Sequence, residues 1–346
     1  MAVPRAAAAY VPPGFFGMVP QETPTETDYE LMVEAGIRSV RLPLFWNQVE
    51  PVRPSVKQPD WSAVDYEIEL AAKHRMSILL NAFGSPPWIA AERLQEPVLA
   101  WQLRAWAVFL HRAARRYGPE GTFWREHEEL PYEPVRGWEI WNEENIVTFG
   151  NTTPESFASL IRTSGRVLHR NDPGAKVIIG GFFGRPLQIP PNVSAMRFLA
   201  GIYEAGNVKP YFDGVGLHPY VAAAKAMRWE IEDLRQVMRE NRDGGTPLYV
   251  TELGWGSARF ESRWERGPYG QARELNEAFA MLANHRLSWR IGGVWWYSWL
   301  DRYDVCQFCD SAGLLTMNRE AKPAFYRFTE WTGGDPSIVP RASFLE

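Results

Sequence analysis

The sequence alternates short apolar runs with amphipathic helical stretches from Phe15 onward, and no shift in composition interrupts this alternation. The fifth and eighth apolar runs are short, KVIIGGF and IGGVWWY. We predict strands near residues 15–19, 38–44, 76–83, 135–143, 176–182, 212–220, 247–255 and 291–299, and helices near residues 61–75, 96–117, 154–170, 225–241 and 270–286. Eight alternating units predict a parallel sheet that closes into a (β/α)8 barrel, the TIM-barrel fold of the α/β class.

The barrel is expected to form a single domain over residues 15–333, with an N-terminal extension at 1–14 and a C-terminal tail at 334–346. The alternative for this alternation is an open, doubly wound sheet, whose nucleotide-binding members carry a GxGxxG motif after the first strand. The sequence has no such motif at that point. The pattern therefore favours the closed barrel.

Composition excludes several classes of partner. The formal charge of −4, with no basic run, argues against nucleic acid and against an anionic membrane surface. The longest apolar stretches are strand-length, so no membrane span is expected. The alanine-rich N-terminus lacks the apolar core of a signal peptide, and both a secreted and a cytoplasmic location stay open, as does the oligomeric state. Sixteen Trp residues exceed what a core needs and indicate flat, stackable surfaces.

Polar and aromatic residues recur where the predicted strands end, which is the end of a barrel that carries active sites. These strand-end candidates are Arg41, Asn81, Asn142, Glu143, His218, Tyr220, Glu252, Trp296 and Trp299. Glu143 lies toward the end of RGWEIWNEEN and Glu252 toward the end of PLYVTELGW, two strand-like runs that place an acid where burial is costly. We expect these two carboxyls to face each other across one cleft.

The chain resembles the clan A glycoside hydrolases, which are (β/α)8 barrels with catalytic glutamates after strands four and seven. The resemblance lies in Trp141-Asn142-Glu143, Thr251-Glu252, Arg41, His218-Pro219-Tyr220 and a Trp-rich strand eight. The tail GLLTMNREAKPAFYRF is similar to the last loop and closing helix of the clan, and GSPPW after strand three is similar in style to families 5 and 39.

The resemblance implies a role for each matching residue. Glu143 would be the acid/base and Glu252 the nucleophile of a retaining β-glycosidase, a mechanism that needs two carboxyls about 5–5.5 Å apart. Arg41 and Tyr220 would keep Glu252 ionised. His218 would position one of the acids, and Asn142 would bind the sugar 2-hydroxyl. Trp299, or else Trp296, would form the apolar floor beneath the reacting sugar.

Each candidate also has an ordinary structural explanation. Arg41 could pair with Glu139, which strand alternation places on the same face as Glu143. His218 could be a satisfied core histidine, and Glu144 is expected to be a loop carboxylate on the cleft wall. Four aromatic residues in predicted loops could stack on sugars or merely pack the loops: Trp88, Trp255, Trp264 and Tyr303.

Cys306 and Cys309 form a lone CxxC. A zinc site would need two more ligands nearby, and the sequence around the pair supplies none. The pair therefore predicts two loop thiols or one local disulfide after strand eight.

The sequence thus predicts a cofactor-free, metal-free glycoside hydrolase that acts on an oligosaccharide or glycoside. Two alternatives stay open: a transglycosylase with the same site, and a carbohydrate-binding barrel that has lost its chemistry. The sugar, the aglycone, and exo or endo action depend on loop conformation and are not predicted.

Overall fold

A computed structural model of the protein describes residues 11–150, 152–186, 189–259, 262–303 and 305–342. The described residues form one closed barrel of eight parallel strands in sequence order, β1 to β8. The strands are β1 Phe16–Val19, β2 Ser39–Phe45, β3 Ser77–Phe83, β4 Gly137–Ile140, β5 Lys176–Phe183, β6 Gly214–His218, β7 Leu248–Leu253 and β8 Ile291–Tyr297. The predicted TIM barrel is confirmed, and β1 closes it by pairing with both β2 and β8.

Helices lie between the strands, as the alternation predicts. They are α1 Glu26–Glu34, α2 Trp46–Val49, α3 Ser62–Lys73, α4 Ala100–Tyr117, α5 Thr122–Glu126, α6 Pro154–Asn171, α7 Ala195–Glu204, α8 Met227–Glu240, α9 Gly267–His285 and α10 Pro323–Thr332. Short 3-10 helices cover Lys209–Tyr211, Ala224–Ala226, Cys309–Ser311 and Pro336–Ile338. Across the described residues, no helix combines the length and apolarity that a membrane crossing requires.

Apolar side chains form two layers, because successive residues of a strand point to opposite faces. The larger layer lies between strands and helices, and Val294 and Trp296 of β8 belong to it. The smaller layer fills the barrel interior and includes Trp295 and Tyr297 of the same strand. The inner layer includes Tyr220, Tyr297 and Phe308, which lie at or after the carboxyl ends of β6 and β8.

Strand β4 ends earlier than predicted, at Ile140 instead of residue 143. Trp141 follows in a left-handed conformation with φ 69°, which is costly for a bulky residue and ends the extended strand. The Asn81 Nδ2 holds this turn by donating to the Trp141 carbonyl at 2.6 Å. Asn142 and Glu143 therefore belong to the loop after β4.

The described part of the tail contacts the barrel at several points. The Asp335 amide donates to the Glu34 carbonyl at 2.9 Å, and the Ala342 amide donates to the Ala321 carbonyl at 3.0 Å. The domain boundaries at residues 15 and 334 stay a prediction.

Cys306 and Cys309 form a disulfide in the loop after β8, so the local-disulfide alternative is confirmed. The ring it closes is short, and the chain-entropy model gives a contribution of about 2 kcal/mol. We expect the double variant Cys306→Ser/Cys309→Ser to fold and to lower Tm by about 5 °C or less. Calorimetry checks this value, and loss of the cooperative transition would show that the disulfide holds far more of the fold.

Candidate active site

Glu252 lies near the end of β7, where two donors hold its carboxylate. Arg41 Nη1, from β2, donates to Oε1 at 2.7 Å, and the Tyr220 hydroxyl donates to Oε2 at 2.7 Å. Tyr220 follows β6, so three separate strands bring these groups together. The predicted contacts of Arg41 and Tyr220 with Glu252 are both confirmed. A carboxylate with two such donors is stabilised in its ionised form.

Glu143 lies in the loop after β4 in a left-handed conformation with φ 51°. His218 Nδ1 lies 2.7 Å from its Oε1, and the other ring nitrogen, Nε2, lies 3.0 Å from the Thr251 hydroxyl. Gly181 leaves room for this histidine, since a Cβ there would come within 2.7 Å of Nε2. The prediction that His218 hydrogen-bonds one of the acids is confirmed.

The two carboxyls face each other at the mouth of the barrel. One oxygen of each lies within 4.8 Å of the other, and His218 Nδ1 lies 3.6 Å from Glu252 Oε2. Both groups are largely buried, with side-chain exposures of 7% for Glu143 and 13% for Glu252. This spacing agrees with the separation of about 5–5.5 Å that double displacement requires.

The surroundings push the pKa values of the two carboxyls in opposite directions. Burial raises the pKa of Glu143, and the negative charge of Glu252 raises it further, which outweighs the opposing effect of His218. Burial also raises the pKa of Glu252, but His218, Arg41 and the Tyr220 hydroxyl together lower it below its usual value. The two pKa values are therefore displaced in opposite directions, the pattern expected of an acid and a nucleophile.

Arg41 also pairs with Glu139, so this arginine makes the structural contact and the site contact at the same time. Arg41 Nε donates to Glu139 Oε2 at 2.5 Å, and Nη2 donates to Asn142 Oδ1 at 2.8 Å. Glu139 and Glu143 both face the interior, but alternation does not explain this, because β4 ends between them. Continued alternation would place Trp141 on the same face as Glu139 and Glu143, but Trp141 lies in the outer layer.

The predicted sugar floor of Trp296 and Trp299 is wrong. Trp296 has no exposed surface and lies in the outer layer against Trp255. Trp299 is also in that layer, where its indole nitrogen donates to Asp28 Oδ1 at 3.1 Å. Strand β8 ends at Tyr297, so the parity that points Trp295 and Tyr297 inward does not extend to Trp299.

Three further substrate-binding candidates have structural contacts, and a substrate role for the half-buried Trp88 stays a prediction. Trp255 is fully buried in the outer layer, and its indole nitrogen donates to the Val221 carbonyl. Trp88 is half-buried against Trp46 and donates to the Glu50 carbonyl. Asn81 is buried and holds the turn at Trp141, so it orients the loop of Glu143 from below.

The prediction that Glu144 lies on the cleft wall is wrong. Its side chain is buried, with 2% of its surface exposed, and it lines a small cavity next to Gly150. Burial raises its pKa well above the usual value, and the nearby Glu96 and Glu139 add to this. The left-handed turn at Glu143 sends the next side chain into the protein rather than toward solvent.

Aromatic side chains form one wall of the site, and most of them were not predicted from the sequence. The aromatic wall consists of Phe183, Tyr220, Trp264, Tyr297 and Phe308, whose ring centroids lie 5.1 to 6.5 Å from their neighbours. Trp264 was a candidate, and its indole nitrogen donates to the Tyr220 carbonyl at 3.0 Å. Tyr303, the remaining loop candidate, is 75% exposed.

Glu143, His218 and Glu252 could together offer three ligand atoms to a metal, since these atoms lie within 4.8 Å of one another. Arg41 and Tyr220 already occupy both oxygens of Glu252, however, and a guanidinium 2.7 Å away repels a cation. The arrangement suits acid/base and nucleophilic chemistry better than metal binding. The expected lack of a cofactor stays a prediction.

The fold is shared with solved glycoside hydrolases. A family 39 glycoside hydrolase from the gut symbiont Bacteroides cellulosilyticus WH2 aligns with a TM-score of 0.72 at 19% identity, over 92% of this chain and 63% of that one. A family 51 α-L-arabinofuranosidase from Bifidobacterium longum gives 0.64 at 16% identity, over 94% and 74%. A GH5_18 protein from Streptomyces cattleya, solved with GlcNAc, also gives 0.64 at 16% identity, over 94% and 82%.

The sequence itself matches no protein-family model and no curated protein. The chain spans less than two thirds of the length of the family 39 structure. At identities below 20%, these likenesses concern the fold and not the substrate. The predicted resemblance is confirmed at that level: the chain has the (β/α)8 barrel found in glycoside hydrolases of families 39, 51 and 5.

Proposed function

We propose that this protein is a retaining glycoside hydrolase that cleaves a β-glycosidic bond by double displacement. The observation that carries the proposal is the facing pair of Glu143 and Glu252, with carboxyl oxygens within 4.8 Å and pKa values displaced in opposite directions. A barrel kept only to bind carbohydrate would not need this pair together with the donors Arg41 and Tyr220.

In the first step, a Glu252 oxygen attacks the anomeric carbon while Glu143 donates its proton to the departing glycosidic oxygen. The bond to the aglycone breaks, and an ester forms between the sugar and Glu252. The hydrogen bonds from Arg41 and Tyr220 keep the attacking carboxylate ionised before the substrate arrives.

In the second step, the ionised Glu143 accepts a proton from water, which attacks the anomeric carbon from the side that the aglycone left. The ester bond breaks and Glu252 is released as a carboxylate. Two inversions at the same carbon give a product with the configuration of the substrate.

His218 supports the change in protonation of Glu143. With a hydrogen on Nδ1 it donates to Glu143 Oε1, while Nε2 lies 3.0 Å from the Thr251 hydroxyl. The proton of the neutral acid is then carried on Oε2, free to be donated to the leaving group. Asn142, whose Oδ1 accepts from Arg41, would direct its amide nitrogen toward the sugar 2-hydroxyl.

A panel of aryl β-glycosides with different sugars tests the proposal, with Glu252→Gln assayed in parallel. The wild type is expected to hydrolyse at least one glycoside, and NMR of the first product should show the β-anomer. The isosteric Glu252→Gln variant should fold and lack this activity. A first product with the α-configuration would indicate single displacement, and equal activity in both proteins would place the chemistry elsewhere.

The dependence of kcat/KM on pH is expected to be bell-shaped. Activity should rise as pH passes upward through the lowered pKa of Glu252, because the nucleophile must be ionised. It should fall as pH passes through the raised pKa of Glu143, because the acid must keep its proton. With a dinitrophenyl glycoside, Glu143→Gln should remove the alkaline limb of kcat/KM and leave the acidic one.

A further inference from the structure

The loop that carries the disulfide also carries Phe308 into the aromatic wall. Cys306 and Gln307 are exposed, whereas Phe308 and Cys309 are buried among the inner apolar residues. A loop with an exposed first half and a buried second half presents one large ring to the site. None of the proposed catalytic steps uses that ring directly.

Phe308 packs most closely on Tyr220. Their ring centroids lie 5.1 Å apart with the rings at 62°, an edge-to-face contact, while Phe183 and Tyr297 lie 5.8 and 6.5 Å from Tyr220. Phe308 also lies 5.5 Å from Trp264. The phenol ring of Tyr220 is therefore held from several sides, and Phe308 is its nearest aromatic neighbour among the described residues.

Tyr220 in turn positions Glu252. Its hydroxyl is one of the two donors to that carboxylate, and it lowers the carboxylate pKa. Arg41 holds only the other oxygen, so tilting the phenol ring would leave Oε2 without its donor. The contacts therefore run from Phe308 through Tyr220 to the carboxylate that forms the proposed bond to sugar.

The two halves of the loop are anchored differently. The buried Lys322 ammonium donates to the Ser311 carbonyl at 2.9 Å, and this fixes the chain just after Phe308. The exposed first half is tied to it by the disulfide and by Asp310, whose Oδ1 accepts from the amides of Val305 and Cys306. The disulfide therefore limits how far Phe308 can move away from the wall.

We propose that Phe308 is a positioning residue that holds Tyr220 against the Glu252 carboxylate, and that the Cys306–Cys309 disulfide keeps Phe308 in place. The proposal rests on the proposed glycosidase function. It assigns the cysteine pair a role in aligning the nucleophile, in addition to its modest contribution to stability.

The test compares Phe308→Ala with Phe308→Leu, which keeps the bulk, and with Val305→Ala as a control in the same loop. Phe308→Ala is expected to lower kcat about tenfold with KM changed by less than about twofold, because a hydrogen bond to a charged group is weakened. Phe308→Leu should recover most of the loss, and Val305→Ala should show none. Cys306→Ser/Cys309→Ser should lower kcat in the same direction, by about threefold.

The pH profile provides a readout that a general loss of structure would not give. Besides Tyr220, the groups that face Glu252 are Arg41, His218, Glu143 and Tyr297, and Phe308→Ala removes none of them. The acidic limb should therefore move to higher pH in Phe308→Ala. It should not move further when the same change is made in Tyr220→Phe, which already lacks the hydroxyl.

Additive effects in that double variant, or a rise in KM with kcat unchanged, would overturn the inference. A crystal structure of Phe308→Ala is a second test of the inference, and it does not depend on turnover. A Tyr220 hydroxyl still 2.7 Å from Glu252 Oε2, as in the wild type, would contradict it. If the wild type hydrolyses no glycoside, the proposed function fails, and the crystal structure still decides whether Phe308 positions Tyr220.

Discussion

Replacing Glu252 with alanine is expected to reduce glycoside hydrolysis by about 10⁴-fold or more, since removing a nucleophile abolishes the covalent route. The space left by the side chain admits a small anion, and azide should restore turnover of an activated aryl β-glycoside. Azide would attack from the side where Glu252 stood, so the product should be the inverted α-glycosyl azide. NMR of that product identifies the side of attack.

Glu143→Ala is the matched variant, and its rescue should have the opposite outcome. Loss of a general acid costs about 10²–10⁴-fold with poor leaving groups, whereas a dinitrophenolate departs without a proton. Azide should then intercept the glycosyl-enzyme from the face that Glu143 vacated and give the retained β-glycosyl azide. An α-azide here with a β-azide from Glu252→Ala would reverse the two roles, and unchanged activity in both would exclude the pair.

Replacing Arg41 with methionine is expected to destabilise the fold by about 3–5 kcal/mol, because Glu139, which is fully buried, and Glu252 would lose their cation. Activity should also fall, by about 10- to 100-fold in kcat, since a charge-assisted hydrogen bond to Glu252 is lost. Urea unfolding and steady-state kinetics measure the two effects on the same protein.

The double variant Arg41→Met/Glu139→Gln separates the two roles of this arginine. Glutamine removes the uncompensated charge at Glu139, so at least half of the lost stability should return, but the contact with Glu252 is still missing and kcat should stay low. Glu139→Gln alone is the control. Recovery of activity together with stability would show that Arg41 acts only through the fold.

The barrel, and the end of it at which the two carboxyls meet, could be predicted because strand period and strand order determine them. Arg41 and His218 each lie within a strand whose inner face follows from alternation. Glu252 has the parity of Val250, which lies in the outer layer, and it reaches the site where the register of β7 shifts between Val250 and Leu253. A closed parallel barrel brings the carboxyl ends of its strands to one face, so these residues meet even though they are far apart in sequence.

The incorrect predictions of site residues arose where a strand ends before the apolar pattern in its sequence does. If β8 extended to residue 299, alternation would point Trp299 into the barrel. The strand ends at Tyr297, however, and Trp299 packs in the outer layer. Glu144 was misplaced for a similar reason, since the left-handed turns at Trp141 and Glu143 follow no period. The inward position of Tyr297 could have been predicted, because alternation places it on the inner face of β8 with Trp295.

Phe308 had no such signal. Its place in the site depends on the conformation of a loop, on the Cys306–Cys309 bridge and on the anchor from Lys322, which joins segments distant in sequence. Loop conformation of this kind is set by tertiary contacts and not by local residue preference. The aromatic wall, and with it the shape of the substrate site, therefore had to come from the structure.

Trapping the covalent intermediate tests the central claim most directly. A 2-deoxy-2-fluoro β-glycoside of the preferred sugar, with a dinitrophenyl leaving group, should form the glycosyl-enzyme faster than it is hydrolysed, because the fluorine destabilises both oxocarbenium-like transition states and the leaving group favours the first step. Mass spectrometry of the digested protein should then find one sugar on the peptide that contains Glu252. A sugar on the Glu143 peptide, or an unlabelled protein that still turns over the parent glycoside with inversion, would contradict the account.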